Sequence, residues 1–198
     1  DPSPFDVAYK VENPHRRSKV DYLAKTPFER TLYLDSDTRV VANLDELFDV
    51  LERFDVGVTH AMRRNSPERL VTWREKMPNA FPQVNGGVLL YRTTPQVLKF
   101  FESWSEAYAT AGFNQDQMTL RELLWLSDLR IAVLPPEYNV RYEKFIWFWS
   151  KTEAEPKILH MEKFHTGMGW MVVKPFYRRL VKGLAKVGIK LPDRLVKK

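Results

Sequence analysis

The sequence predicts an α/β fold in which helices flank a sheet, and three observations support this prediction. Short apolar runs of strand length alternate along the chain with amphipathic segments of helical spacing. Proline or glycine closes several of these segments, as Pro27, Gly112 and Pro135 do. A chain of 198 residues is long enough for one domain with one sizeable core. Strands that alternate with helices are typical of a sheet covered by helices.

Composition excludes several classes of protein. Hydrophobic residues make up 44% of the chain and aromatic residues 13%, which is ordinary for a globular protein and too apolar for a disordered one. The absence of cysteine excludes disulfides and thiolate metal sites, and it is typical of a reducing compartment. No apolar run approaches the roughly 20 residues of a membrane span, and residues 1–4 do not begin a signal peptide. We therefore expect a cytoplasmic protein.

The first half of the chain predicts strands that end in polar clusters. A buried strand over 31–34 stops at the turn-forming residues 35–38. Apolar residues at helical spacing then predict an amphipathic helix over 44–54, and the next apolar run predicts a strand over 55–61. Ahead of these elements, 19–25 predicts a short helix.

The second half continues this alternation. Residues 62–82 are polar and rich in proline, which predicts a long excursion, and 83–91 predicts a flexible turn that leads into a strand. Thr94 and Pro95 predict a helix start, because a capping hydroxyl precedes proline at the first helical position, and Gly112 ends that helix. The remaining segments are a helix capped by Asn114, a strand over 129–134, an aromatic cluster over 142–149 and a short strand over 157–161.

Two carboxylates follow the strand over 31–34. Asp35 and Asp37 are two residues apart, and side chains at that spacing on extended backbone point the same way. Two hard oxygen ligands on one side can hold Mg²⁺ or Mn²⁺, and the carboxyl edge of an α/β sheet is where ligands bind. The alternative is a turn in which both carboxylates cap backbone donors, since an isolated Asp-x-Asp is common.

Five stretches resemble the GT-A glycosyltransferases, and the closest resemblance is to the glycogenin-like and galactosyltransferase group with its bacterial relatives. The run 30–38, followed by 43–48, matches their Tyr-Leu-Asp-x-Asp strand end and Leu-x-Glu-Leu-Phe helix. The later stretches, in the family's order, are Val84–Leu90, Asn114–Gln117, Leu134–Val140, and Ile158–His160 with Lys174–Phe176 downstream. Each motif is weak alone, but their shared order is fairly specific.

The resemblance implies a GT-A-like mixed sheet flanked by helices, and a metal-dependent transferase that moves a sugar from a nucleotide-diphosphate donor with retention of configuration. The resemblance does not distinguish whether the acceptor is a glycan, a lipid-linked molecule or a protein. Relatives place a nucleotide-binding strand and helix well before the Asp-x-Asp, whereas the 34 residues ahead of Asp35 predict no such strand. We therefore expect a domain over 1–175 that is incomplete at its N-terminus, either as a fragment or as a shortened version with weakened donor binding.

The resemblance also assigns a metal site. It implies that Asp35 and Asp37 bind the ion and that His160 is the third protein ligand. An imidazole beside two carboxylates favours Mn²⁺, with Mg²⁺ as the alternative. On the residues alone, a histidine in the core or on the surface is the favoured account of His160, so the ligand role depends on the resemblance.

Donor-binding residues are implied in the same way. Asn85, Gly86 and Gly87 would approach the donor sugar, since glycine lets backbone come close. Lys174 would contact the diphosphate as a point charge, and Lys19 lies where relatives place a basic residue near the donor. The alternatives are a simple turn for 85–87 and an ordinary surface lysine for Lys174.

Asp116 and Gln117 are the implied catalytic residues. In relatives this pair lies under the reacting sugar carbon, so Asp116 would orient the sugar hydroxyls or stabilise a cationic transition state. The pair also lies at the start of a predicted helix, where the macrodipole favours an anionic group. The alternative is that Asp116 is simply an acidic residue at a helix N-terminus, with no catalytic role.

The C-terminal segment 176–198 predicts a basic, amphipathic tail. The chain has a net charge of +6, and the whole excess lies beyond residue 170, where nine basic residues stand against Asp193 alone. Apolar residues interleaved with lysine and arginine could lie on an anionic membrane surface, so we expect peripheral membrane contact rather than nucleic-acid binding. A solvated helix face is the simpler alternative.

Two further functional classes remain open from the sequence. A degenerate, non-catalytic module that recognises a glycan or a membrane would account for the absent base-binding strand. A phosphatase of the haloacid-dehalogenase-like class carries Asp-x-Asp-x-Thr after a strand, but here the fifth position is Arg39 and the threonine falls one place early at Thr38. The phosphatase is therefore favoured less than the transferase.

Overall fold

The computed structural model of the chain describes residues 5–64, 66–150 and 152–165, and within them every side chain except that of Trp147. The described strands are β1 (Arg30–Leu34), β2 (Thr38–Val40), β3 (Val56–His60), β4 (Val84–Arg92), β5 (Ile131–Leu134) and β6 (Ile158–His160). One sheet has the order β1-β4-β3-β5, in which the β3–β5 pair is parallel and the other pairs are antiparallel. Strands β2 and β6 pair antiparallel in a second, smaller sheet.

Helices cover both faces of the larger sheet. The described α-helices are α1 (Glu46–Val50), α2 (Pro95–Ala111), α3 (Gln117–Leu126) and α4 (Glu143–Phe148). Because side chains alternate along a strand, Leu89 and Tyr91 of β4 pack with α2 and α3, whereas Val88 and Leu90 pack with Leu47 of α1. The predicted mixed sheet flanked by helices is therefore confirmed.

None of the described helices is both long enough and apolar enough to span a bilayer. The tail over 176–198 and Lys174 lie outside the described residues, as does the end of the predicted domain over 1–175. The predictions made for them stay predictions.

Strand β4 contains an irregularity that shapes the site. On its β3 side, Val58 pairs with Leu89, but the next residue, Thr59, pairs with Asn85. The three residues 86–88 are thus extra in β4 relative to β3, which is the geometry of a β-bulge. On the opposite side the Asp35 amide donates to the Gly87 carbonyl at 2.8 Å. The strand predicted at the end of 83–91 is present, but the flexible turn predicted before it, at 85–87, is instead part of the same buried strand.

Helix α2 follows the local signals of its sequence. The Thr94 hydroxyl accepts a hydrogen bond from the Val97 amide at 3.3 Å, and Gly112 ends the helix with φ of 69°. Only glycine adopts that left-handed conformation without strain. Helix α3, in contrast, begins at Gln117 with Asp116 in the capping position, so the predicted cap at Asn114 is two residues early.

Three other segments differ from the sequence predictions. Residues 19–25 form two short 3₁₀ turns instead of one helix. Helix α1 ends at Val50, and the amides of 51–53 donate to carbonyls three residues back, while the Phe54 amide donates to the Val50 carbonyl. Residues 38–40 form β2, although Thr38 belonged to the turn predicted over 35–38, because each of them pairs with a residue of β6. That pairing is tertiary, so no local pattern predicts it.

Candidate active site

The strand ends bring the two predicted carboxylates and the predicted histidine together. Asp35 follows β1, Asp37 precedes β2, and the β2–β6 register places Thr38 opposite His160. His160 Nε2 lies 2.9 Å from Asp37 Oδ1 and 3.8 Å from Asp35 Oδ2. One ligand atom from each of the three residues lies within 4.8 Å of the others, which is the spacing of a metal-binding group.

A buried amide fixes the protonation of His160. Asn139 Nδ2 donates to the Thr59 hydroxyl at 2.7 Å, so its Oδ1, 2.8 Å from His160 Nδ1, accepts a hydrogen bond from that nitrogen. Burial, with the charge of Arg141 second, lowers the pKa of His160 to about 4, although Asp37 and Asp35 oppose the shift. The imidazole is therefore neutral at pH 7, with its proton on Nδ1.

This arrangement leaves Nε2 as a bare acceptor that faces another acceptor. A lone pair on Nε2 and a carboxylate oxygen of Asp37 repel each other at 2.9 Å unless a cation lies between them. A hydrogen bond from Nδ1 to an amide or carboxylate oxygen is also the usual support of a metal-bound histidine. Two carboxylates and one imidazole suit Mn²⁺ or Mg²⁺, so the residues fit a divalent ion.

Gly87 allows the cluster to assemble against the sheet. A Cβ atom at this position would overlap His160 Cε1 and would lie 2.5 Å from Asp35 Oδ2. The Asn85 side chain accepts a hydrogen bond from the Gly87 amide at 2.9 Å and holds the bulge in shape. The predicted donor-binding residues 85–87 therefore lie directly behind the carboxylate–histidine cluster.

Lys19 links the cluster to the predicted catalytic aspartate. Its Nζ donates to Asp35 Oδ1 at 3.0 Å and to the Gly86 carbonyl at 2.7 Å, and it lies 3.3 Å from Asp116 Oδ2. The Asp116 side chain is only 1% exposed and ion-pairs a second time, with Arg17 at 3.6 Å. Asp116 thus lies beneath Lys19 rather than at the open surface of the site.

Tyr33 of β1 is a second hydrogen-bond donor to Asp35. Its hydroxyl donates to Asp35 Oδ1 at 2.7 Å. Burial, together with the negative charge of Asp35, raises the pKa of Tyr33 well above its ordinary value, so the hydroxyl keeps its proton. Asp35 therefore accepts hydrogen bonds from two sides, and its Oδ2 is directed toward His160.

The cluster opens into a cavity of about 780 Å³. The predicted site residues that line this cavity are Lys19, Asp35, Asp37, Asn85, Gln117 and His160. Gln117 accepts a hydrogen bond from Arg69 Nη1 through its side-chain oxygen. Gly86 and Gly87 are buried in β4, and Lys174 lies outside the described residues.

Sequence reasoning missed a group of arginines that line this cavity. They are Arg63, Arg69 and Arg141, whereas Arg17, which also lines the cavity, lies in the basic stretch 16–19 that the resemblance places near the donor. Arg63 and Arg69 belong to the excursion over 62–82, where the only available signal was a polar segment next to a strand. Arg141 follows the stretch over 134–140, in which Asn139 supports His160. Their convergence depends on tertiary packing.

The fold and the site together define a class of protein. A mixed sheet flanked by helices, an Asp-x-Asp pair at a strand end and a histidine facing that pair are the features of a GT-A-like nucleotide-sugar transferase. The family model described as nucleotide-diphospho-sugar transferase matches residues 29–169, and the chain belongs to this family. That membership decides against the haloacid-dehalogenase-like alternative.

Solved structures agree on the fold. The chain is similar to the galactosyltransferase LgtC, solved with donor and acceptor sugar analogues, at 18% identity and a TM-score of 0.52, over 73% of this chain and 57% of LgtC. It is also similar to the bifunctional glycosyltransferase WbbM, at 16% identity and a TM-score of 0.51, over 72% of this chain and 30% of WbbM. No curated protein sequence matches significantly. The chain therefore spans little more than half of LgtC and less of WbbM.

Proposed function

We propose that this chain carries the donor site of a metal-dependent glycosyltransferase, which moves a sugar from a nucleotide-diphosphate donor to a glycan, lipid-linked or protein acceptor. One observation supports this proposal most directly. His160 Nε2 faces the Asp37 carboxylate at 2.9 Å, with Asp35 beside them, in a cavity large enough for a nucleotide sugar. Family membership supplies the expected donor class.

The chain's own residues would divide the work as follows. Asp35, Asp37 and His160 would hold Mn²⁺ or Mg²⁺, and such an ion, when bound, supplies positive charge that neutralises a departing diphosphate. Lys19 would keep Asp35 oriented through its 3.0 Å hydrogen bond and would add positive charge beside the donor. Lys174, by resemblance, would contact the diphosphate.

The sugar would lie against β4 and the start of α3. Asn85 would contact the sugar from β4, whereas Gly86 and Gly87 would shape the sugar site indirectly, because their missing side chains make room for Lys19, Asp35 and His160. Gln117 would face the sugar with its amide, since it lines the cavity. Asp116 would act through Lys19, whose ammonium it holds at 3.3 Å, rather than by direct contact. Retention of configuration follows from the resemblance.

The test is binding of UDP and of GDP with and without Mn²⁺, measured by titration calorimetry on the whole chain. We expect one nucleotide to bind only when Mn²⁺ is present, and Asp37→Ala to weaken that binding at least about tenfold by removing a ligand. Asp49→Ala is the matched control, because Asp49 is an exposed carboxylate of α1, far from the cavity lining.

The outcomes separate the functional classes. Metal-dependent binding that is lost in Asp37→Ala and kept in Asp49→Ala supports the donor site and identifies the base. If neither nucleotide binds, the donor-site proposal is wrong, and a non-catalytic glycan-binding module becomes the better account. Binding that ignores Mn²⁺ would contradict the metal dependence alone.

A further inference from the structure

Arg63 and Arg69 bring positive charge into the cavity without a carboxylate partner. Arg63 Nε donates to the Tyr142 hydroxyl at 3.2 Å, and Arg69 Nη1 donates to the side-chain oxygen of Gln117. Both acceptors are neutral. Among the residues that the structure describes, no carboxylate oxygen lies within 4.0 Å of either guanidinium.

Three other cations near the metal cluster each have an aspartate oxygen within 4.0 Å, in the pairs Lys19–Asp35, Arg17–Asp116 and Arg141–Asp37. Two lysines further along the cavity lining have other contacts, since Lys163 pairs with Glu143 and Lys144 lies over the Tyr142 ring. The charge of a bound divalent ion would in turn be offset by the donor's diphosphate. Within the described part of the chain, no carboxylate therefore offsets the charges of Arg63 and Arg69 when the donor site is filled.

The Arg69 guanidinium lies close to other positive charges. Burial, and after it the positive charges of Arg63, Arg141 and Arg17, lower the pKa of Arg69, with Glu68 opposing the shift. Arginine stays protonated at any physiological pH, so repulsion between these guanidiniums persists. An anion bound between them would relieve it, and guanidinium forks match carboxylate and phosphate geometry.

The segment that carries the pair is anchored to α3. The Glu122 carboxylate accepts hydrogen bonds from the amides of Trp73, Arg74 and Glu75 at 2.9–3.1 Å. Arg121 donates to two carbonyls further along the same excursion, those of Pro78 and Phe81. Both anchoring side chains are buried, so the excursion is tied to the helix that begins with Gln117.

We propose that Arg63 and Arg69 bind a carboxylate or phosphate group carried by one of the two sugars that meet beside Gln117, so that the transferase acts on an acidic carbohydrate. This inference rests on the proposed function. The anionic group belongs either to the acceptor or to the transferred sugar, and the two sources are separable by experiment.

The experiment uses the whole chain with Mn²⁺ and two sets of probes. Acceptors are tested on an array of matched neutral, uronic-acid and phosphate-bearing oligosaccharides. Donors are tested by calorimetry as UDP-glucose against UDP-glucuronate, or GDP-mannose against GDP-mannuronate, according to which nucleotide binds. The variants are Arg63→Gln/Arg69→Gln and the control Arg64→Gln, because Arg64 is an exposed neighbour that does not line the cavity.

We expect the wild-type chain to prefer acidic over neutral probes by about tenfold or more, as charge-assisted hydrogen bonds predict. The double variant should lose this preference, and Arg64→Gln should keep it. A preference on the array places the anion on the acceptor, and one among donors places it on the transferred sugar. If the double variant does not melt cooperatively, Arg63→Gln alone carries the test, because Arg63 is exposed.

Two results would overturn the inference. The first is an equal response to acidic and neutral probes in the wild-type chain. The second is loss of UDP or GDP affinity in the double variant, because the pair would then serve the donor's diphosphate. Intact nucleotide binding without acidic preference contradicts this inference alone. Acidic preference without any nucleotide binding supports the anion subsite and contradicts the transferase proposal instead.

Discussion

Gly87 sets how closely the backbone approaches the proposed metal ligands. Its missing side chain is what lets His160 and Asp35 lie against β4, since a Cβ atom would overlap His160 Cε1. We expect Gly87→Ala to lower the affinity for Mn²⁺ at least about tenfold, because one of the two ligands must move away. Titration calorimetry with Mn²⁺ measures this change.

Gly86→Ala is the matched control for that substitution. A Cβ atom at Gly86 would lie 3.3 Å from Asp116 Oδ2 and 3.4 Å from Trp104, which is tight but needs only a small adjustment. We expect its Mn²⁺ affinity to stay within a few-fold of the wild-type value. If the two alanine variants bind Mn²⁺ equally well, the close approach at Gly87 does not determine the site.

Asn139 holds the imidazole in the tautomer that leaves Nε2 free to ligate. Its Oδ1 is the acceptor for His160 Nδ1 at 2.8 Å, and Thr59 fixes the amide's orientation. We expect Asn139→Ala to weaken Mn²⁺ binding by about 10–100-fold, the usual effect of removing the support of a metal-bound histidine. Calorimetry measures the affinity, and a thermal melt checks the fold.

A conservative variant distinguishes support of the histidine from simple packing. Asn139→Asp keeps an acceptor for the imidazole Nδ1–H, and the Thr59 hydroxyl can donate to its other oxygen. We expect this variant to retain most of the Mn²⁺ affinity that Asn139→Ala loses. Equal loss in both variants would show that Asn139 acts by packing alone.

Individual site residues were predictable where a short motif carries the chemistry. Asp35, Asp37 and His160 were predicted as one group, and the structure brings them together. Asn139 was not assigned to that group, because its link to His160 depends on a parallel bridge between Val140 and Leu159. A hydrogen-bond partner that is positioned by pairing between distant segments cannot be recognised from the local sequence.

Elements were predictable to the extent that local chemistry specifies them. Helix α2 has its cap, its first-position proline and its terminal glycine where the sequence shows them. Strand β2 has none of these signals, and it exists because Thr38–Val40 pair with β6. The bulge at 86–88 likewise depends on strand pairing. The glycines are compatible with either a turn or a bulge, and pairing with the neighbouring strands determines which of the two forms.

Asp55 ties three strands together at the end of the sheet remote from the metal cluster. Its carboxylate ion-pairs with Arg92 at 2.9 Å and with Arg130 at 2.8 Å, and it accepts the Arg130 amide. These contacts, the Arg130 side-chain hydrogen bond above all, hold the pKa of Asp55 well below its usual range. We expect Asp55→Asn to lower the free energy of unfolding by about 1–3 kcal/mol at pH 7.

The pH dependence of that difference has a definite sign. A carboxylate whose pKa is lower in the folded state stabilises the fold fully when the pH is above the pKa of the unfolded state, about 3.9. This contribution is lost progressively as the pH falls below that value toward the folded-state pKa. Urea unfolding at pH 7 and pH 3 should therefore show the gap between wild type and Asp55→Asn narrowing at pH 3. Asp49→Asn, at an exposed position, should show no comparable gap. A gap of constant size would mean that Asp55 acts through packing.

At the scale of the whole molecule, the alternation of strands and helices was enough to predict the mixed sheet and its covering helices. The cavity was not predictable to the same extent, because its walls come from β4, the excursion over 62–82, the start of α3 and the segment after Asn139. The excursion faces the metal cluster only because Glu122 and Arg121 of α3 bind its backbone. A polar segment has no periodicity that reports such an anchor.

A bound metal ion would join the two sheets, since Asp35 extends β1 of the larger sheet while Asp37 and His160 flank the smaller one. An ion that binds only the folded chain stabilises it by about 2.7 kcal/mol at a hundredfold excess over Kd, which for this length is roughly a 5–10 °C rise in Tm. We expect Mn²⁺, compared with a chelator, to give that rise in the wild-type chain and in Asp49→Asn, but not in Asp37→Asn. Equal rises in all three chains would place the ion elsewhere, and the two sheets would then be held together by side-chain contacts alone.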